Sequence, residues 1–126
     1  MYIQKALNEL ISTGWHLDNP QPTTEAEFNE RFSIQTGVSG QDAVMSNNPS
    51  DFGVTWAQVQ TKAAELEAAA PMELLRAVRN ALLTETDWWA NSDLTMTAEQ
   101  TAYHQALRDI TNTYSSLDDV VWPTKP

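Results

Sequence analysis

A helical spacing of apolar side chains in residues 74–123 constrains the fold of this 126-residue chain more than any other sequence feature. Apolar residues recur there at intervals of three and four, the pattern of a helix that is buried along one side. A polar connector with Trp88 and Trp89 separates two such stretches, and a non-helical tail ending in Trp122 and Pro123 follows them. The pattern predicts two antiparallel helices with the tail folded back over them. The first stripe contains Leu74, Val78 and Leu82, with Leu75 and Leu83 beside it, and the second contains Tyr103, Leu107, Ile110 and Tyr114.

Helix-start and helix-stop signals predict further helices in the first part of the chain. Thr24 followed by Glu27 is a capping-box pattern, and Thr55 precedes a third apolar stripe as an expected N-cap. Gly14 stands where a left-handed C-terminal cap is expected. The helices predicted before Pro71 cover residues 2–13, 25–32 and 56–70.

Pro71 interrupts the helical pattern, and proline is tolerated best in the first turn of a helix. A new helix is therefore predicted from Met72 onward, after a bend. The last helix has its own start signal, Thr97 with Gln100 three residues later. Together these assignments predict an all-α fold, a small bundle of four to five helices that ends in a C-terminal antiparallel helical hairpin.

Residues 33–54 have no helical period and carry three of the four glycines. They are predicted to form a long irregular loop, with one short helical turn at residues 41–45. Such a long connector is unusual in a compact domain, so it is either a packed loop or a contact surface. The chain length suits a single domain, 1–126, with a possible internal boundary near residue 71.

Four short motifs follow one another in the C-terminal part of the chain. They are Arg-Asn-x-Leu-Leu at residues 79–83, Thr-Asp-Trp at 86–88, Tyr-x-x-x-Leu-Arg-Asp-Ile at 103–110 and Trp-Pro-x-x-Pro at 122–126. In this order and spacing they resemble the C-terminal module of tailed-bacteriophage tail assembly chaperones, a family that includes tail-fibre assembly proteins. The family helix often has an arginine after its tyrosine, where this chain has His104.

An acidic composition limits the classes of partner. Seventeen acidic residues against seven basic ones give a net charge of −10, which disfavours nucleic acid, because Lys and Arg on phosphates supply that affinity. The absence of Cys excludes a disulfide framework and a thiolate metal site. No apolar run approaches the ~20 residues of a membrane span, and the N-terminus is too polar for a signal peptide. We expect no membrane partner and a location in the virion or the host cytoplasm.

No residue pattern indicates catalysis. His16 and His104 lack the paired spacing of a metal site, and His104 is expected to point to solvent or to a helix edge. The acidic residues of the C-terminal part flank loops, where carboxylates cap helices or form turns. A catalytic carboxylate pair is the less favoured alternative, since such pairs are close in space rather than in sequence. We therefore predict no catalytic, cofactor-binding or metal-binding residue, and a protein that is not an enzyme.

Tryptophans are the first candidates for a partner-binding site. Trp88 and Trp89 are adjacent, so in a regular backbone they point in different directions and differ in exposure. Trp122 precedes Pro123, which favours an extended backbone at this position. Trp and Tyr are common anchors of protein–protein interfaces.

Charged residues of the same region complete the candidate set. Arg108 and Asp109 are neighbours in the sequence and cannot face each other on one helix. Asp109 is expected to meet Arg76 or Arg79 on the antiparallel helix. The predicted partner-binding residues are Asp87, Trp88, Trp89, Arg108, Asp109, Trp122 and Pro123.

The resemblance implies a non-catalytic phage protein of tail or tail-fibre assembly. Its partner would be a tail-fibre or baseplate protein, bound either by a departing chaperone or by a component retained in the virion. A second hypothesis is a small phage protein that binds and modulates a host protein, because its acidic surface would suit a basic host surface. An enzyme such as a cell-wall hydrolase is the weakest of the three hypotheses.

Overall fold

The fold combines helices with a small sheet in a computed structural model that describes residues 2–126. The predicted all-α fold is therefore wrong, and the class is α+β. By contact the chain divides into two compact units, of which the first ends at Ala68 and the second spans Ala69–Pro126. In chain order the elements are α1 (Ile3–Leu10), β1 (Trp15–Leu17), α2 (Glu25–Arg31), β2 (Phe32–Ser39), β3 (Asp42–Ser46), a 3₁₀ helix (Pro49–Asp51), α3 (Trp56–Glu85), a second 3₁₀ helix (Asp87–Ala90) and α4 (Ala98–Thr113).

The sheet has the order β1-β2-β3, and both strand pairs are antiparallel. β2 and β3 are joined by the two residues Gly40 and Gln41, which follow the last pair, Ser39 and Asp42. Gly40 has φ +65°, and glycine at the first central position is typical of a type II′ hairpin turn. The predictions of an irregular loop over residues 33–54 and of a helical turn at 41–45 are both wrong, because this segment satisfies its backbone groups in a hairpin.

Aromatic side chains form the centre of the first unit. Phe28 and Phe32 are stacked with centroids 4.8 Å apart, and Phe52 meets Phe32 edge-on at 4.7 Å. Trp56 lies 5.4 Å from Phe28. Buried aromatic pairs stabilise a core beyond their area, by about 0.5–1.5 kcal/mol each. Around them lie Ile3, Ala6 and Leu7 of α1, Leu17, Ile34, and Val59, Ala63 and Leu66 of α3.

Side-chain caps define where the helices of this unit begin. The backbone N–H of Glu27 donates to the Thr24 hydroxyl at 3.2 Å, and that of Gln58 donates to the Thr55 hydroxyl at 3.2 Å, so both predicted N-caps are confirmed. Gly14 is not the C-cap of α1, which ends at Leu10. Its carbonyl instead accepts from the backbone N–H of Gln35 at 2.8 Å, which extends the contact between β1 and β2.

The Glu27 carboxylate also accepts from the backbone N–H of Thr23 at 2.7 Å and from its hydroxyl at 2.9 Å. These hydrogen bonds hold the pKa of the Glu27 carboxyl below its ordinary value. A lowered folded-state pKa means that the carboxylate contributes stability above its unfolded pKa and loses it as the pH falls through the folded value.

We expect Glu27→Gln to lower the melting temperature at neutral pH, and this difference from wild type to shrink below about pH 4.3. Thermal denaturation followed by circular dichroism at pH 7 and pH 3 measures it. Glu30→Gln, which removes an exposed carboxylate of the same helix, is the matched control. A Glu27→Gln difference that is equally large at both pH values would contradict the assignment.

Helix α3 continues through Pro71 as one helix, so the predicted start of a new helix at Met72 is wrong. Proline lacks the N–H that would bond to the carbonyl four residues earlier. Pro71 is exposed, so water can hydrogen-bond to that carbonyl instead, which lowers the cost of proline within the helix.

In the second unit, the buried side of α3 differs from the predicted stripe. Leu75 is fully buried, whereas Leu74 is 59% exposed and Val78 is 36% exposed. Leu82 and Leu83 are partly buried against a cluster that includes side chains of α4. The predicted start of α4 is confirmed, because Thr97 and Gln100 form a reciprocal capping box.

Candidate functional site

The short 3₁₀ helix Asp87–Ala90 holds the tryptophan pair. Trp89 is 5% exposed and Trp88 is 57% exposed, so the predicted difference between them is confirmed. A 3₁₀ helix has three residues per turn, so neighbouring side chains leave it in different directions, although the two indole rings still meet edge-on with centroids 6.2 Å apart. One indole therefore packs inside the unit while the next points to solvent.

Trp89 is held by rings of α4. It stacks on His104 with centroids 5.3 Å and planes 17° apart, and its centroid lies 5.9 Å from that of Tyr103. These contacts hold the 3₁₀ helix in place, and with it the backbone that presents Trp88. Trp89, Tyr103 and Leu107 form a buried cluster, which we name the tryptophan cluster. The side chains that pack against it are Leu82, Leu83, Met96 and Trp122.

His104 is 4% exposed, so the prediction that it points to solvent or a helix edge is wrong. Its Nε2 lies 2.7 Å from the Thr86 hydroxyl, which is also within 3.4 Å of the carbonyls of Leu82 and Leu83. A buried polar side chain is tolerated when it is hydrogen-bonded. In the sequence, the burial of His104 is indicated by its position three residues before Leu107, which places it beside the apolar stripe of α4.

The C-terminal tail returns to α3. Trp122 is partly buried against the tryptophan cluster, and Pro123 is also partly buried. Lys125 Nζ donates to Glu85 Oε1 at 2.6 Å, and this hydrogen bond raises the pKa of Lys125. The prediction that the tail folds back over the helices is confirmed.

Arg108 and Asp109 are exposed on α4. The Asp109 carboxylate accepts from Gln105 Nε2, with both oxygens at 3.1 Å. The guanidinium of Arg79 donates to the Asn80 side chain at 3.0 Å. Among residues 2–126, Asp109 forms no ion pair with Arg76 or Arg79, so that prediction is wrong, because a partner one helical turn away satisfies the carboxylate.

The structure therefore brings some of the predicted site residues together. Trp122 packs against the tryptophan cluster, to which Trp89 belongs, and the exposed Asp87 and Trp88 lie next to Trp89 on the same 3₁₀ helix. Arg108 and Asp109 are exposed on α4 and are not among the side chains of this cluster. Sequence reasoning omitted the exposed apolar side chains that this unit also presents, namely Leu74, Val78, Leu94, Leu117 and Val121.

Two further observations concern the described part of the chain. Within residues 2–126, no group of three or more His, Cys, Asp or Glu side chains is arranged to bind a metal ion. No helix in the same range has both the length and the apolar character needed to cross a membrane.

Comparison with known proteins identifies the C-terminal segment. Residues 72–126 match the family model described as phage tail assembly chaperone protein, and the match covers just under half of the chain. No curated protein and no solved structure matches the chain. The resemblance predicted from the four motifs is confirmed: the segment 72–126, which contains the tryptophan cluster and the tail, matches the model of the phage tail assembly chaperone family.

Proposed function

We propose that the chain acts in phage tail or tail-fibre assembly by binding a tail-fibre or baseplate protein through the surface around Trp88. The function is binding and release, not catalysis. The family match of residues 72–126 supports the assembly role. The single observation that carries the binding site is the exposure of Trp88, at 57%, beside a neighbour that is 5% exposed.

Exposure of Trp88 has a cost that partner binding would offset. Leaving a large indole in water forgoes about 25 cal/mol for each Å² of apolar surface that could be buried. The fixed 3₁₀ helix presents this indole without ordering a loop at the moment of binding, which lowers the entropic cost of association. Tryptophan and tyrosine are enriched among the few residues that carry most of the binding energy in protein interfaces.

The acidic surface determines which partner surface this site would meet. A net charge of −10 steers association toward a basic patch and speeds encounter at low ionic strength. Asp87 is exposed beside Trp88, so a positively charged rim around an apolar pocket would complement both residues. This geometry also suits the alternative partner, a basic host protein.

We expect Trp88→Ala to weaken partner binding by roughly 30-fold, the equivalent of a ~2 kcal/mol hot spot, while leaving the melting temperature unchanged. Tagged wild-type and variant chains are recovered from infected cells, and the co-purified fibre and baseplate proteins are quantified by mass spectrometry. Leu10→Ala, which truncates an exposed apolar side chain of the first unit, is the matched control and should retain the partner.

The same experiment separates the proposed function from its alternative. Recovery of a host protein without any fibre or baseplate protein would contradict the proposal and support a modulator of host function. Mass spectrometry of purified virions then distinguishes the two forms of the proposal. A departing chaperone is absent from mature particles, whereas a retained component is present in them.

A further inference from the structure

The outer edge of β3 has no strand partner within residues 2–126. All side chains from Thr36 to Met45 are exposed, so this half of the β2–β3 hairpin projects from the core of the first unit. Natural sheets protect an exposed edge with lysine, proline, a bulge or a covering segment. The strand Asp42–Ser46 has no lysine or proline, and the irregularity in this ladder lies on β2, between Gln35 and Gly37.

One hydrogen bond shows which backbone groups of β3 lie on the free edge. The Thr36 hydroxyl, on β2, donates to the Val44 carbonyl at 3.4 Å, so that carbonyl faces β2. In an antiparallel strand the N–H and C=O of one residue point to the same side, and successive residues alternate. The N–H and C=O groups of Ala43 and Met45 therefore point away from β2, toward the open edge.

The charge pattern of the hairpin selects a second copy of the chain as the occupant of this edge. Copies with a net charge of −10 repel each other over most of their surface. Residues 33–50 carry one charged side chain, Asp42, so this hairpin is a low-charge region where two copies can approach. The repulsion that opposes contact elsewhere is small here.

The sequence of β3 is also self-complementary. Antiparallel pairing about a two-fold axis at Val44 sets Ala43 opposite Met45 of the second copy, with their free N–H and C=O groups facing each other. The same register sets Asp42 opposite Ser46, so that the two carboxylates do not meet, and like charges directly opposite would destabilise the pair. The backbone hydrogen bonding fits this register, and the register keeps the two Asp42 carboxylates apart.

We propose that two copies of the chain associate through β3, in antiparallel register about Val44, and join their three-stranded sheets into one. Val38 pairs with Ala43, and Met45 lies two residues further along on the same face. Val38, at 65% exposure, and Met45, at 42%, then contribute to one apolar strip that is continuous across both copies. This strip supplies apolar contacts in addition to the backbone pairing.

A single introduced cysteine tests the register, because the chain contains no Cys. At the axis, opposite Cβ atoms are ≈ 4.5–5.5 Å apart, which is close to disulfide geometry, so Val44→Cys should oxidise to a covalent dimer. Gln41→Cys is the matched control on the same hairpin. It lies three residues from the axis, so the two sulfur atoms would be roughly 20 Å apart and should not bond within the dimer.

A second variant tests the edge itself. Ala43→Pro removes an N–H that points away from β2, so it should reduce the dimer fraction in light scattering while far-UV circular dichroism keeps the wild-type spectrum. A wild-type chain that is monomeric at every concentration, or equal cross-linking of the two cysteine variants, would overturn the proposal. A folded Ala43→Pro variant that still forms the dimer would also overturn the proposal. If Ala43→Pro does not fold, the cysteine comparison decides alone.

Discussion

Replacing Trp89 with alanine should lower the melting temperature by about 10–20 °C. The reason is that Trp89 is buried and contacts His104 and Tyr103, and truncating a buried tryptophan costs about 3–5 kcal/mol. That is a large share of the ~5–15 kcal/mol that stabilises a domain. Each kcal/mol corresponds to a few degrees for a chain of this size. Thermal denaturation followed by circular dichroism measures the change.

Trp88→Ala is the matched control, since it removes the same side chain from the next position of the same 3₁₀ helix. Its effect on stability should stay within about 0.5 kcal/mol, as for surface substitutions. Equal losses of stability in the two variants would show that Trp88 also supports the fold. The basis for assigning Trp88 to partner binding would then be removed. The two variants therefore distinguish the role of Trp89, which supports the site, from that of Trp88, which is its exposed anchor.

The tryptophan pair shows how far sequence reasoning reaches at this site. Adjacency alone predicts that Trp88 and Trp89 differ in exposure, and they do. Which of the two is buried depends on His104, a residue 15 positions further along, whose ring stacks on Trp89. His104 can itself be buried because the Thr86 hydroxyl, between α3 and the second 3₁₀ helix, is its hydrogen-bond partner. Neither contact leaves a local signal in the sequence.

Helix α3 shows the same limit for apolar periodicity. Leu74 and Leu75 both belong to stripes with helical spacing, so the pattern predicts a helix and leaves its buried side open. In the structure Leu75 is fully buried and Leu74 is 59% exposed. Helix starts were predictable because a cap joins residues three positions apart, as Thr97 and Gln100 do. The orientation of a helix, by contrast, depends on distant partners.

The sheet was not predicted because the apolar–polar alternation of its strands is short: it covers the three residues of β1 and the first four of β2, and β3 has none. In β2 burial is confined to the end near Phe32 and Ile34, and the remainder is exposed. Its pairing with β1 joins Trp15 to Ile34, across the whole of α2. A further local signal is the Gly40–Gln41 turn, a glycine-first pair typical of two-residue hairpins. This turn signal is weak, because the three glycines of residues 33–54 also fit an irregular loop.

Removing residues 116–126 should lower the melting temperature by about 5–10 °C. A fully buried tryptophan removes about 150–250 Å² from water. At ~25 cal/mol per Å², the half-buried Trp122 therefore contributes roughly 2–3 kcal/mol. It packs against the tryptophan cluster, so its loss also exposes part of that cluster to water. Val121 is 71% exposed and adds little. Thermal denaturation of the truncated and full-length chains gives the difference.

A shorter truncation, of residues 124–126 alone, is the control. It removes Lys125 and its hydrogen bond to Glu85 but leaves Trp122 and Pro123 in place. That ion pair is exposed to solvent, and exposed pairs contribute little because water and salt screen them. The short truncation should therefore melt close to wild type. If the long truncation also melts like wild type but no longer binds the fibre or baseplate partner, the tail is a docking peptide and its contact with the tryptophan cluster is incidental to stability.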